Sequence, residues 1–137
     1  MTTSGSLVQQ LGELLNAGDD AAYDLLSPDF TNHAAGPQGR DGFRLTTSII
    51  HHDFADIEGE DIRMVAQDDL VVTEWWLHGT HVASTMPLLK GIDPRGARVT
   101  WKFVHTWRVA DGSVVEHWAT RDDLGLLIQL GAVVLGT

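Results

Sequence analysis

Val104-His-Thr-Trp-Arg-Val-Ala-Asp-Gly-Ser-Val-Val-Glu-His-Trp118, running on into Thr120-Arg-Asp122-Asp-Leu-Gly-Leu-Leu-Ile-Gln-Leu-Gly131, decides the fold. Two β-rich runs flank Asp111-Gly112, a dipeptide suited to a two-residue hairpin turn because both residues tolerate positive φ. The second run delivers a carboxylate, Asp122, to the point where an apolar helix (124–130) begins. The first run carries Val99, Trp101, Phe103, His105, Trp107 and Val109 at alternate positions. These side chains share one face of the strand, while Thr100, Lys102, Val104, Thr106 and Arg108 share the other. On the second run Glu116, Trp118, Thr120 and Asp122 fall on one side, and Val115, His117 and Ala119 on the other.

Working outward, Leu70 to Val82 and 57–66 are further β-rich runs, joined by the polar turn Gln67-Asp-Asp69. Leu88-Leu-Lys-Gly-Ile-Asp-Pro-Arg-Gly96 is a loop punctuated by Gly and Pro. Upstream the period changes. Leu7, Leu11, Leu14 and Leu15 recur at helical spacing and predict a helix over 5–17, ending near Gly18. Asp19-Asp20 caps a second short helix through Leu26, closed by Ser27-Pro28. Phe30 to His33 reads as a brief strand. Gly36-Pro-Gln-Gly39 is a turn, and a third helix runs from Asp41 to His51. Helices first and long antiparallel strands afterwards predict one α+β domain over residues 1–137, with a curved sheet folded over the helices.

Composition narrows the function. The 137 residues carry a formal net charge of −10 and no cysteine. That charge argues against nucleic-acid binding, which needs basic surface to displace counterions, and against anionic membranes. No apolar run approaches membrane-spanning length, and the first residues lack a signal peptide's basic and apolar regions. A cytoplasmic protein is the expectation. No hydrolase elbow, phosphate loop or dinucleotide fingerprint is present. His51-His-Asp53 and the pair His78 and His81 suggest metal ligands, but strand parity sends His78 and His81 to opposite faces, so no metal is expected. Four of the five tryptophans lie on the two central strands. Because an indole N–H needs a partner, this favours a pocket wall over a solid core.

Several pieces in fixed order carry a resemblance: Asn32-His33, Gly36-Pro-Gln-Gly39, Gly42-Phe43, Gly79-Thr-His81, Arg108-Val-Ala-Asp-Gly112, Glu116-His-Trp118 and Asp122 to Gly131. Together they resemble the SnoaL-like polyketide cyclases of the nuclear-transport-factor-2-like superfamily. The resemblance implies a cone-shaped α+β barrel, with three N-terminal helices on a strongly curved, mixed but mainly antiparallel sheet and a short C-terminal helix. It also implies one deep apolar pocket, a homodimer or homotetramer, and intramolecular aldol closure of an aromatic polyketide without a cofactor. The aspartate matching Asp122 is the family's general acid/base.

On that basis the expected catalytic residues are Asp122, held in an apolar setting to act as an acid near neutrality, and His105 as a second donor or acceptor. The expected walls around a small hydrophobic aromatic substrate are Asn32, His33, Trp75, His81, Phe103, Trp107 and Trp118. Two rivals remain on the same fold: a limonene-type epoxide hydrolase or hydroxylase auxiliary, and a non-catalytic carrier or interaction module. The hydrolase needs Asp and Arg converging on a water. Arg108 alternates away from His105, and Arg121 away from Asp122, so no inward set is expected.

Overall fold

The computed structural model describes residues 3–136. Helix α1 spans Ser4–Asn16 and opens on a capping box, in which Thr3 and Ser6 satisfy each other's free backbone N–H groups. Its buried stripe is Leu7, Val8 and Leu11. Gly18, at φ +68°, then turns the chain. The second expected helix is a 3₁₀ turn, Asp20–Leu25, capped by the Asp19 carboxylate on Ala21 N–H. Strand β1 (Leu26–Asn32) begins four residues earlier than expected and includes Ser27 and Pro28. Proline is tolerated there because β1 is an edge strand, pairing only with the last strand. Helix α2 covers Gly39–Asp53. The N-terminal half therefore holds two α-helices and one 3₁₀ turn in place of three helices.

Strands β2 (Phe54–Gln67), β3 (Leu70–His81), β4 (Arg98–Ala110) and β5 (Ser113–Arg121) form an antiparallel meander, with a 3₁₀ turn at Pro87–Leu89. The sheet order is β1-β5-β4-β3-β2, and β1 runs parallel to β5. Helix α3 (Asp123–Gln129) closes the chain. The fold is thus α+β with a five-stranded mixed sheet, and no helix among the described residues is long and apolar enough to cross a membrane.

One irregularity governs the site. The β4–β5 turn has Asp111 and Gly112 both at positive φ, as the dipeptide predicts. Next to it Ala110 pairs with Ser113 and Val109 with Val114, but Arg108 then pairs with Glu116. Val115 is the extra residue of a β-bulge. Beyond it Trp107 faces His117, His105 faces Ala119, and Phe103 faces Arg121. A one-residue slip exchanges the two faces of a strand. The bulge therefore turns His117, Ala119 and Arg121 toward the helices, and Glu116, Trp118 and Thr120 away from them.

Apolar packing gathers at two ends. One cluster joins Leu7, Val8 and Leu11 of α1 to Phe30, Phe43, Trp107 and Val114. The other joins Phe54, Leu77, Met86, Leu89, Trp101, Phe103 and Leu126. A clasp organises the second end. Asp53, fully buried at the end of α2, accepts hydrogen bonds from Thr85 N–H, Thr85 Oγ1–H (2.6 Å) and Met86 N–H (2.8 Å), and meets His52 Nδ1 at 3.0 Å. Its backbone carbonyl takes the N–H groups of Val82 and Ala83. Burial pushes the Asp53 carboxyl up, but these donors together hold it below its ordinary value.

Candidate active site

Between the two clusters lies a cavity of about 450 Å³ on the helix-facing side of the sheet. That volume lies within the range of small-molecule sites, roughly 300–1,000 Å³. Its apolar walls include Phe43, Ile50, Ile57, Trp75, Phe103 and Trp107. The polar groups reach it from the end of one strand and the middle of two others. Asn32 ends β1, and His105 and His117 are diagonal neighbours across β4 and β5.

The three polar side chains form a line. Asn32 Oδ1 is 2.8 Å from His117 Nδ1, and His117 Nε2 is 2.8 Å from His105 Nδ1. Asn32 is itself fixed, because Gln38 bonds its backbone on both sides and its Oδ1 also accepts Ala34 N–H. Aromatic rings enclose the imidazoles. His105 stacks on Phe103 and Trp107 at centroid distances of 5.5 and 5.2 Å, and His117 lies 4.2 Å from Trp107. Burial pushes His105 down to about 4. Burial and then the neighbouring His105 and His33 push His117 down to about 2. Both rings are neutral at neutral pH, since charging either would strand a cation among aromatics.

This has a direct pH signature. Folded His105 and His117 refuse protons that the unfolded chain accepts below its ordinary histidine pKa, about 6.5. Stability is therefore fully present above about pH 6.5 and is lost progressively as pH falls toward 4, with His105 contributing roughly 3 kcal/mol. Urea titrations at pH 7 and pH 4.5 check this. Equal midpoints for wild type, or a midpoint difference that persists unchanged in a His105→Gln, His117→Gln double variant, would contradict it.

The expected site residues fall into two groups, and on β5 the bulge decides which. Asn32, Trp75, Phe103, His105 and Trp107 line the cavity. Asp122, His33, His81 and Trp118 do not. Asp122 is exposed and is the N-cap of α3, its Oδ1 accepting Gly125 N–H at 2.9 Å. The apolar setting expected around it is absent, because Trp118 points to the outer face. There Trp118 stacks on His33 at 4.7 Å and 9°, beneath the Arg108 guanidinium. His33 is bonded to Glu116 at 2.8 Å. His81 is buried beyond the cavity, its Nε2 at 2.8 Å from Ser84 Oγ, whose hydroxyl bonds the Ile92 carbonyl. It ties down the loop after β3.

Residues that parity on an unbulged hairpin misses now appear. His117 and Arg121 both line the cavity. Arg108 faces outward as expected, paired with Asp69 and Glu116. Arg121 lies at the wall, bonded to Asp123 at 3.0 Å and set over the Trp101 ring. Asp61 and Arg63 also reach the cavity edge. Both are exposed, and Arg63 is paired with Glu74. Among the described residues no three His, Asp or Glu side chains converge as a metal-ligand set.

The family model for SnoaL-like polyketide cyclases matches residues 6–130. The chain belongs to that family. This member is 28% identical to aklanonic acid methyl ester cyclase DnrD of Streptomyces peucetius, across 96% of this chain and 92% of the relative. Among solved structures it resembles AclR of Streptomyces galilaeus, a suggested hydroxylase, with a TM-score of 0.84 at 25% identity, covering 98% and 88% of the two chains. It also resembles wild-type IdmH of Streptomyces antibioticus, a suggested polyketide cyclase, with a TM-score of 0.81 at 28% identity, covering 95% and 99%.

Proposed function

We propose that this chain closes a ring of an aromatic polyketide intermediate by intramolecular aldol condensation, with His105 as the proton carrier and no cofactor. The observation that carries the reading is a neutral imidazole on the wall of an apolar cavity of about 450 Å³. Aldol closure removes a proton α to a carbonyl, joins that carbon to a second carbonyl and protonates the new alkoxide. No electron is gained or lost, so one group that moves a proton suffices. His105, with its depressed pKa, is a weak base and a strong acid once charged. It suits a carbon acid already activated by neighbouring carbonyls and a conjugated ring, and it returns the proton readily to the alkoxide. Apolar walls hold the two reacting carbons together and exclude water. Asp122 has no part in this scheme because its carboxylate lies outside the cavity.

Aklanonic acid methyl ester, the compound named for the DnrD relative, is the first substrate to try. The expected product keeps the substrate's mass, or loses one water if dehydration follows, and contains a new carbon–carbon ring. The AclR likeness favours a second reading, auxiliary to hydroxylation; there the product would gain oxygen. An epoxide hydrolase would add one water. Recovery of unchanged ester with every aromatic polyketide ester tried would remove the cyclase reading. We also propose a homodimer through the outer sheet face, where Val72 and Val104 are exposed beside the half-buried Trp76 and Trp118.

A further inference from the structure

The hydrogen-bond line through the cavity has a direction, and that direction is forced. Asn32 Oδ1 receives the backbone N–H of Ala34, so it is the amide oxygen and cannot donate. His117 Nδ1, 2.8 Å from the same oxygen, must therefore carry a hydrogen. A neutral imidazole has only one, so His117 Nε2 is a lone pair. His105 Nδ1 faces that lone pair at 2.8 Å and must be the donor. His105 Nε2 is left unprotonated. The opposite tautomer would set two lone pairs against each other in a buried site, losing a hydrogen bond where no water replaces it.

The chain also leaves two groups free. Among the described residues, the only enclosed side-chain nitrogen or oxygen without a partner is Trp75 Nε1. Neither Asn32 Nδ2 nor His105 Nε2 has a hydrogen-bond partner among those residues, and neither is enclosed. Both residues line the cavity. Asn32 is nevertheless 97% buried, being only 3% exposed.

We infer that Asn32, His117 and His105 form a one-way hydrogen-bond chain that presents an acceptor, His105 Nε2, and a donor, Asn32 Nδ2–H, as a subsite for an enolisable β-dicarbonyl group. The inference rests on the cyclase reading for the class of chemistry, and on the geometry alone for the tautomer. His105 Nε2 takes the proton from the carbon between the two carbonyls. The C–H electron pair becomes the enolate double bond, and the carbonyl π pair moves onto oxygen, where the Asn32 N–H stabilises it. The enolate carbon then bonds to the carbon of a separate carbonyl elsewhere in the substrate, whose π pair moves onto its oxygen, and that oxygen takes the proton back from His105 Nε2. His117 touches no substrate. It is a positioning residue that fixes which nitrogen of His105 is basic.

Two measurements test this with the intact chain. Long-range ¹⁵N–¹H correlation at neutral pH reads the tautomer directly, and should show His105 with Nδ1 protonated and Nε2 pyridine-like. Proton–deuterium exchange at the α carbon of ethyl 2-naphthoylacetate, which cannot cyclise, reads the base and donor without ring closure. Wild type should accelerate exchange, His105→Gln should abolish the acceleration, and Asn32→Leu should lower it by about 10²-fold. His117→Leu should cut it more than about tenfold and mix the His105 tautomers. His117→Gln, whose amide oxygen can still accept from His105, should restore most of the rate. An Nε2–H tautomer in wild type overturns the proposal without any variant. So does a folded Asn32→Leu chain that exchanges at the wild-type rate. Catalysed exchange without ring closure of any polyketide ester would remove the cyclase reading and keep the subsite. Ring closure with the tautomer reversed would do the opposite.

Discussion

His105→Gln should lower turnover of a cyclising substrate by about 10²–10⁴-fold, while Asp122→Asn leaves it within about twofold. The contrast follows from the β-bulge at Val115. Glutamine keeps the volume of the imidazole and can still donate to His117, so the walls and the fold survive. It cannot accept a proton at neutral pH. Asp122 acts on the helix terminus alone, where asparagine is an equally good cap, so the first variant tests chemistry and the second tests position. Asp122→Ala, which removes the cap, should cost about 1 kcal/mol of stability and still turn over normally. Single-turnover rates with matched denaturation curves would settle the assignment. An inactive, folded Asp122→Asn beside an active His105→Gln would return the acid/base role to the helix cap. The His105-dependent rate should also be flat through neutrality, falling only as pH drops toward about 4, where the folded imidazole is charged.

The largest stability effect should come from Asp53→Ala. The carboxylate sits at the C-terminal end of α2, where the helix dipole disfavours a negative charge. It persists there because Thr85 and Met86 surround it with donors. Alanine would leave those N–H groups and the Thr85 hydroxyl facing a small apolar void. Stranding buried donors costs about 1–3 kcal/mol each before relaxation, so a loss of about 3–5 kcal/mol is expected. In a chain of this size that corresponds to a melting point lower by more than about 10 °C. Asp53→Asn keeps an acceptor but turns an amide N–H₂ toward existing donors, and should lose about half as much. Denaturant titrations that place Asp53→Ala within about 1 kcal/mol of wild type would show that the segment after β3 is held by other contacts.

Much of this architecture is legible in the amino-acid order. The leucine spacing of α1, the Asp111-Gly112 turn and the alternating aromatic face of β4 all express local rules that the packed structure keeps. Trp101, Phe103 and Trp107 are buried on one face as parity requires. The second expected helix and Ser27-Pro28 went differently, because an edge strand accepts a proline that a central strand rejects. The consequential difference is on β5. Read with an unbroken hairpin register, the pairing that starts at Ala110 and Ser113 would bring Trp118 opposite His105 and place Asp122 opposite Trp101. The extra residue at Val115 shifts the register and exchanges the faces. Valine carries no local signal for a bulge, so the shift is invisible until the strands are paired. A usable clue lay in the side chains themselves. Val115, His117 and Ala119 form the smaller and less charged set, whereas Glu116 and Trp118 have Arg108 and His33 as partners in solvent. Choosing the face that leaves fewer charges enclosed would have found His117.

The two apolar clusters lie at opposite ends of the molecule, with the hollow between them. Cohesion is only partly divorced from selectivity: Phe43, Trp107, Leu77 and Phe103 serve both an anchor and the wall, while other wall positions are free to take new contours. Thr46 and Ala119 border the void without belonging to either anchor, whereas Ile50 and Ile57 pack against the second one. Exchanging Thr46 and Ala119 retailors the berth for a differently shaped guest and leaves the scaffold's integrity largely untouched.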